Sequence, residues 1–377
     1  MSKKKLIGII VACIMAVTAV IVVTNPRQPI PTAQNYTLTT YISPSEAGSV
    51  SPAGGQYESG VQITLSATPA SGYTFDYWED MASSSSNTVS SNTITITMNA
   101  HKAITAHFKV VESESALRVA AFNIQIFGKT KREKEDVMDV LKKIAQEFDI
   151  MLVQEIRDAE EETASYYCQK MNEAVGYHKY DFIESERLGR SSSKEAYAYF
   201  YNADRVQFIE GSEYVYNDID DIFEREPYIA SFRSGNFDFT LVGIHTKPDD
   251  ANSEIGHLAD VANSILAENP SEKDIIVMGD FNADGSYFNE DNNTNPFKSS
   301  EFHWVISNDM DTMTKTNWTY DRMVMMDSTF SYEYVGNSAA VFYFDIEYGI
   351  DDEAFVWEVS DHYPIYAYFR TNLTDDD

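Results

Sequence analysis

Hydrophobic and polar positions divide the chain into stretches of different texture. Leu6 to Val23 is an unbroken apolar run, set behind the basic start Met1 to Lys5 and ahead of Pro26, Pro29 and Pro31. From 36 to 109, short runs of Thr, Val, Ile and Tyr alternate with polar residues between Gly, Pro and Ser turns, which predicts a small all-β unit. A polar linker at 110–115 follows, then a large domain at 116–371 and an acidic tail at 372–377. In the large domain, apolar runs of strand length lie between stretches of helical spacing, such as Val137, Val140, Leu141, Ile144 and Phe148.

The apolar runs of the large domain share a habit: they end or begin in polar groups. DIIVMGDFNADGSYF, Asp274 to Phe288, starts as a buried strand and breaks into Asp280, Asn282, Asp284 and Gly285. Taken alone it reads equally as a strand with its turn or as part of a site. LRVAAFNI delivers Asn123, DIMLVQEIRD ends in Glu155 and Arg157, and NFDFTLVGIHT ends in His245. Tyr320 and Asp321 open YDRMVM, and Asp361 and His362 precede IYAYF. A strand fixed by packing holds such groups to a fraction of an ångström, as hydrolytic chemistry requires. Glu195, which opens AYAYFY, can fix the tautomer of His245, and this favours a catalytic histidine over a satisfied core one. Glu155 at the end of an apolar run must be solvated, paired or metal-bound. Mg2+ takes oxygen ligands and needs only one or two carboxylates, so Glu155 with Asn123 nearby suffices.

Other segments carry less chemistry. A helix is expected from about Glu160 to Met171, and PFKSSEFHWVI is also read as helical, with His303 lacking an evident partner. Asp311, Thr312, Thr314 and Thr316 crowd oxygens into one loop, which is either a Ca2+ site or only a polar loop. In the β unit, Tyr73, Phe75, Tyr77 and Trp78 form either a carbohydrate platform or, more simply, a small core.

Composition bounds the partners. At 377 residues, 43% apolar and 13% aromatic, the chain supports a large core and is not disordered. Its formal net charge of −31 is uneven, because residues 116 to 377 hold 22 Lys/Arg against 52 Asp/Glu. Such a surface repels polyanions, so a nucleic-acid partner cannot be gripped by bulk charge and a divalent cation becomes an expected participant. The basic flank and apolar run are the pattern of an export signal or an N-terminal membrane anchor, residues 1–31, with the bulk of the chain outside the cell. Absence of a clear small-x-small cleavage site favours the uncleaved anchor, although Ile10 to Cys13 is similar to a lipoprotein box. Only Cys13 and Cys168 are present, so no disulfide framework is expected.

Two resemblances complete the reading. Gly48 to Pro52, Tyr57 to Gly60, Ala67 to Trp78 and Thr105 to Phe108 match the bacterial surface repeat related to internalin B-repeats, which implies a spacer or adhesive module contacting the cell exterior. Over Leu117 to Phe369, the segments AAFNIQIFG, LVQEIRD, LGRSSSKEAYAYFYNADRV, EREPYIASF, IHTKPDDANSEI, MGDFNADGSYF, TYDRMV and SDHYPI resemble the endonuclease/exonuclease/phosphatase superfamily, and within it the deoxyribonuclease I branch. The resemblance implies a four-layer α/β sandwich beside the small all-β domain, a monomer, and cleavage of duplex DNA with little sequence preference. It implies Asn123, Glu155 and Asp361 at the Mg2+ (or Mn2+) site, and His245 with Glu195 and His362 with Asp321 as acid/base pairs. Asp280 and Asn282 are implied to act on the water and phosphoryl oxygen, and Arg157, Arg225 and Tyr320 to contact substrate. Ser193 stands where the branch has a tyrosine against the sugar, and Gly285 and Trp318 stand where a disulfide joins two loops. The alternatives are a lipid head-group phosphodiesterase of the same superfamily and a non-catalytic surface adhesin.

Overall fold

The computed structural model describes residues 34–45, 47–70, 73–80, 91–110, 116–190 and 194–374. The leader with Cys13, most of the linker, Ser193 and the end of the acidic tail lie outside these residues. Among the described residues no helix is long and apolar enough to cross a membrane.

The small unit contains β1 (Asn35–Ser43), β2 (Gly48–Ser51), β3 (Gly55–Glu58), β4 (Gln62–Pro69), β5 (Tyr73–Asp80), β6 (Thr93–Thr97) and β7 (Lys102–Val110). They form two sheets, ordered β3-β1-β7-β5 and β2-β4-β6, around Leu38, Leu65, Trp78, Ile104 and Phe108. A register shift between Phe75 and Tyr77 in β5 resets its alternation. Tyr73 and Trp78 are therefore both buried, Phe75 packs on Trp78 and Phe108, and Tyr77 stacks on His107. Three of the four aromatics thus serve the core.

The large domain contains β8 (Ala116–Phe127), β9 (Ile150–Ile156), β10 (Tyr180–Glu184), β11 (Ala196–Asn202), β12 (Gln207–Phe208), β13 (Tyr214–Val215) and β14 (Tyr228–Ser234). It continues with β15 (Phe237–His245), β16 (Ile275–Asp280), β17 (Phe302–Trp304), β18 (Asp321–Met326), β19 (Ala340–Val341) and β20 (Ile365–Arg370). One sheet runs β10-β11-β9-β8-β20-β19 and the other β12-β14-β15-β16-β18-β17, with β13 on β14. The sheets face one another, and helices cover the outer faces, giving a four-layer α/β sandwich. Alternation along the strands produces this layering. In β8, Val119 and Ala121 meet the other sheet while Ala120 and Phe122 meet the helices Glu135–Gln146 and Thr163–Val175. In β16, Ile276 and Met278 face inward, and Ile275 and Val277 face the helix Ala251–Glu268. Burial on both faces explains why these strands are continuous apolar runs.

Strand direction gathers the polar ends. β8 and β9 are parallel, as are β15 and β16, so their C-terminal ends emerge at the same edge of each sheet. β20 is antiparallel to β8 and β18 to β16, which brings their N-terminal ends to that edge as well. The small unit packs at the opposite rim, where its core includes Ala116, Val335 and Tyr368 and where the Tyr73 hydroxyl donates to the Gly336 carbonyl. It leaves the polar rim uncovered.

Three expectations are corrected here. The helix expected from Glu160 begins at Thr163 and runs to Val175, because Glu160 and Glu162 instead give their backbone N–H groups to Asp158. PFKSSEFHWVI is not helical: Pro296–Lys298 is a single 3-10 turn capped by Asn295, and Phe302–Trp304 forms β17 against β18. Edge pairing and burial of Phe297 and Phe302 override its helical spacing. His303 also has a partner, with Nε2 2.9 Å from Asp327 and its ring stacked on Phe330. Two threonines of the Thr-rich loop are engaged by the protein itself: Thr312 Oγ1 accepts from the N–H groups of Tyr320 and Asp321, and Thr314 Oγ1 donates to the Ser360 carbonyl, while Thr316 is exposed. The loops with Gly285 and Trp318 meet without a disulfide, since the Trp318 indole lies over Gly285 and Thr319 N donates 2.8 Å to Asp284 Oδ2.

Candidate active site

Asp280, at the end of β16, is 2% exposed and lies at the centre of the rim. Its backbone N–H donates to Gln154 Oε1 at 3.2 Å, and its Oδ1 accepts from Asn282 N at 2.9 Å. Gln154 Nε2 in turn donates to the Ile244 carbonyl, so one buried amide ties β9 to both parallel strands of the other sheet. This needs Gly279, whose φ is +136° and whose position leaves no room for a Cβ beside the Ile244 carbonyl and the Gln154 amide. Asn282 has φ +47°, and its Nδ2 donates to Thr246 O at 3.0 Å. The polar break in DIIVMGDFNADGSYF is therefore a constrained strand end that aims one carboxylate.

Two imidazoles converge on that carboxylate. His245 Nδ1 lies 2.7 Å from Glu195 Oε1 and its Nε2 lies 3.3 Å from Asp280 Oδ2. His362 Nδ1 lies 2.8 Å from Asp321 Oδ2 and its Nε2 lies 3.5 Å from the same Asp280 oxygen. Each ring is thus clamped by one carboxylate behind and faces Asp280 in front. Register explains the near symmetry, because His245 pairs with Asp280 across β15/β16 and Asp280 with Asp321 across β16/β18. Burial disfavours the His362 cation, but Asp321 and Asp280 outweigh it and push its pKa up to about 10. Burial likewise opposes charge on His245, and Glu195 raises it above its ordinary value while Arg225 pulls the other way. Burial would raise Asp280, yet His362 and His245 hold it below the usual carboxylate range.

An acidic pole lies beside this pair. Asn123 Nδ2 donates to Asp280 Oδ2 at 3.1 Å and reaches Glu155 Oε1 at 3.3 Å. Glu155 Oε2 accepts from Ile126 N at 2.8 Å. Asp361 Oδ2 accepts from Gln125 Nε2 at 2.8 Å, while its Oδ1 is buried without a hydrogen-bond partner. Burial raises the pKa of Asp361, and Glu155 adds to the rise. Gln125, Ile126 and Glu155 have φ of +22°, +51° and +60°, a cluster of left-handed backbone of the kind stored at functional sites. Carboxylates that feel one another and an unpartnered carboxylate oxygen suit a hard divalent cation, so Glu155 and Asp361 fit such an ion; Asn123 would join them only through Oδ1, which here accepts from Gln125 N at 3.0 Å, because Nδ2 is the atom that faces Glu155. Asp280, Asp321 and His362 also bring ligand atoms within 4.8 Å of one another, but their contacts are those of a hydrogen-bonded imidazole between two carboxylates.

The expected substrate residues are placed differently from one another. Arg157 is at the rim, with Nη2 3.1 Å from Glu155 and 3.4 Å from Glu195. Arg225 is turned inward and 7% exposed, donating through Nε to the His245 carbonyl and through Nη2 to the Thr246 carbonyl. Tyr320 is 7% exposed between the rings of Tyr287 and Trp318. The Arg225 guanidinium is thus engaged behind the rim by two backbone carbonyls, whereas the Tyr320 ring is packed and its hydroxyl is not among the buried polar atoms that lack a partner. Several positioning residues escaped the sequence reading. Gln154, Gln125 and Tyr197, whose hydroxyl accepts from His245 N, are examples. So is Lys131, whose Nζ donates to the Ile124 and Val359 carbonyls and whose pKa burial lowers to about 8. Only Gln154 had a sequence signal, as a lone amide inside the apolar run LVQEI.

Comparison with known proteins identifies the families of both domains. The profile of the Endonuclease/Exonuclease/phosphatase family matches residues 120–362, and that of the divergent InlB B-repeat domain matches residues 36–112. Deoxyribonuclease-1-like 1 of Cricetulus griseus is 36% identical over 257 residues, covering 66% of this chain and 83% of that protein. Deoxyribonuclease-1 of Oryctolagus cuniculus is 35% identical over 271 residues, covering 68% of this chain and 93% of that protein. A solved endonuclease/exonuclease/phosphatase family protein from Bacteroides thetaiotaomicron superposes with a TM-score of 0.45 at 15% identity, over 68% of this chain and 98% of that one. With its paired imidazoles, its acidic pole and these relatives, the chain belongs to the endonuclease/exonuclease/phosphatase family of hydrolases, joined to a divergent InlB B-repeat domain.

Proposed function

We propose that the protein is a divalent-metal-dependent endonuclease that hydrolyses phosphodiester bonds of DNA with little sequence preference, working outside the cell. The observation that carries this reading is the convergence of the buried His245–Glu195 and His362–Asp321 pairs on one oxygen of Asp280, beside Asn123, Glu155 and Asp361. Phosphodiester hydrolysis needs a proton acceptor for water and a proton donor for the leaving 3′ oxygen, and two imidazoles held in fixed tautomers by carboxylates provide both. Nδ1 of each ring is committed to its carboxylate, so proton exchange with substrate or water occurs at Nε2. Asp280 keeps both Nε2 atoms pointed at one place and offers its oxygen to the attacking water. Asn282 spends one amide N–H on Thr246 and keeps the second for a phosphoryl oxygen. A cation such as Mg2+ or Mn2+ held by Asn123, Glu155 and Asp361 would supply charge to the equatorial oxygens.

Weak sequence preference follows from the grip. Most of the net negative charge lies in this domain, and Arg157 is the expected substrate cation that reaches the rim. Few backbone contacts position a duplex without reading it. The relatives' names support DNA as substrate, and the B-repeat domain with the basic-apolar leader supports an extracellular or membrane-anchored setting. The test is incubation of the full chain with supercoiled plasmid and Mg2+, with and without chelator. Chelator-sensitive nicking that His245→Ala and Asp280→Ala abolish is expected. Plasmid left intact by folded protein, with turnover instead on a choline phospholipid assayed in parallel, would overturn DNA as the substrate.

A further inference from the structure

Arg157 stands in an unusual position between the acidic pole and the histidine pairs. Its Nη2 lies 3.1 Å from Glu155 Oε2 and 3.4 Å from Glu195 Oε2, and Glu195 is the carboxylate behind His245. The side chain is only 28% exposed, and Nε is buried with no hydrogen-bond partner. The guanidinium is thus withdrawn, with some of its donor capacity unused, a poor arrangement for gripping a ligand. Glu155 is held still by other means: its oxygens accept from Ile126 N and Asn123 Nδ2, and its backbone is set at φ +60°. Its geometry therefore does not depend on Arg157.

We propose that Arg157 is a resident cation that occupies Glu155 until a divalent cation takes its place, and that the released guanidinium then becomes the contact to the DNA backbone. The inference rests on the reading of Asn123, Glu155 and Asp361 as the metal site, and it adds a linkage to that reading. Two cations cannot share one Glu155 oxygen without repelling each other, so metal binding and the Glu155–Arg157 pair oppose one another. A cation at Glu155 leaves Arg157 only Glu195, which His245 and Arg225 already engage. The chain would then expose its substrate arginine only when the site is loaded, which suits a protein of strongly negative charge. By reciprocity, a duplex that draws Arg157 outward tightens the metal.

Calorimetric titration of the chelator-stripped full chain with Mn2+ alone, without DNA, decides the first half. Arg157→Gln is expected to bind Mn2+ at least about fivefold more tightly than the unaltered protein, the lower end of ordinary site–site coupling. Arg157→Lys, which keeps the charge, should stay near the unaltered value. Equal or weaker binding by Arg157→Gln, or no Mn2+ binding by the unaltered chain, overturns the proposal. The second half uses a labelled duplex and His245→Ala protein, which binds without turnover. Mn2+ should tighten duplex binding, and adding Arg157→Gln should remove most of that tightening. Undiminished tightening overturns the release of Arg157 toward DNA. Loss of plasmid nicking alone would bear on the nuclease reading and leave the Mn2+ titration standing.

Discussion

Gly279→Ala is the sharpest test of how the rim is built. Gly279 precedes Asp280 and adopts φ +136°, a backbone conformation that L side chains rarely take. An added Cβ would overlap the Ile244 carbonyl oxygen and the Gln154 amide, and the first of these is backbone in the neighbouring strand. Backbone strain contributes about 1–3 kcal/mol. Displacing Gln154 leaves buried groups on β15 and β16 unpaired and adds about 1–3 kcal/mol. The combined expectation is a loss of roughly 2–6 kcal/mol, whose upper half reaches the diagnostic range for a single substitution. Urea unfolding at pH 7 in chelator should show a lowered midpoint with an unchanged slope. Because the displaced atoms set the positions of His245 and Asp280, residual nicking by folded protein should fall by at least about tenfold, the scale of a small misplacement of reacting groups. A variant within about 0.5 kcal/mol of the unaltered protein, the range of an inconsequential substitution, would refute this account of the strand end.

Further expectations concern the carboxylates and His362. Glu195→Gln should slow plasmid nicking by about 10²–10⁴-fold, the range of a positioned acid or base, with little change in duplex affinity; an unchanged rate would show that His245 does not depend on Glu195. The raised His362 pKa makes a signed prediction for chelated protein. A cation favoured by folding contributes stability that is present below the unfolded value, near 6.5, and is lost as pH rises toward about 10. The stability difference between the unaltered protein and His362→Asn, measured by urea midpoints, should therefore shrink from pH 7 to pH 10. Asp284→Ala removes the acceptor for Thr319 N and should cost about 1–2 kcal/mol, read as a lower melting temperature; no shift would leave the Trp318–Gly285 packing to join the loops by itself.

Much of this architecture was legible in the residues themselves. Alternation in 36–109 and long apolar runs beyond 116 are local consequences of which side chains can be buried, so element type survived into the structure. The same logic failed at PFKSSEFHWVI, where the free edge of β18 was available for pairing. The polar strand ends were equally visible, since a carboxylate closing a run such as IIVMGD needs a partner wherever it lands. What composition and spacing could not state is which ends meet. Asn123 and Asp280 are 157 positions apart, and they share a hydrogen bond because the parallel strands of both sheets end at one rim. Tertiary structure also decided roles that residue type leaves open. Arg225 and Arg157 are the same kind of side chain, yet one is buried against the His245 and Thr246 carbonyls and the other, half-buried at the rim, bridges Glu155 and Glu195. A local sequence specifies which groups must be buried or paired. Only the packed sheets, by bringing distant strand ends within hydrogen-bonding distance, determine the partner and hence the chemistry.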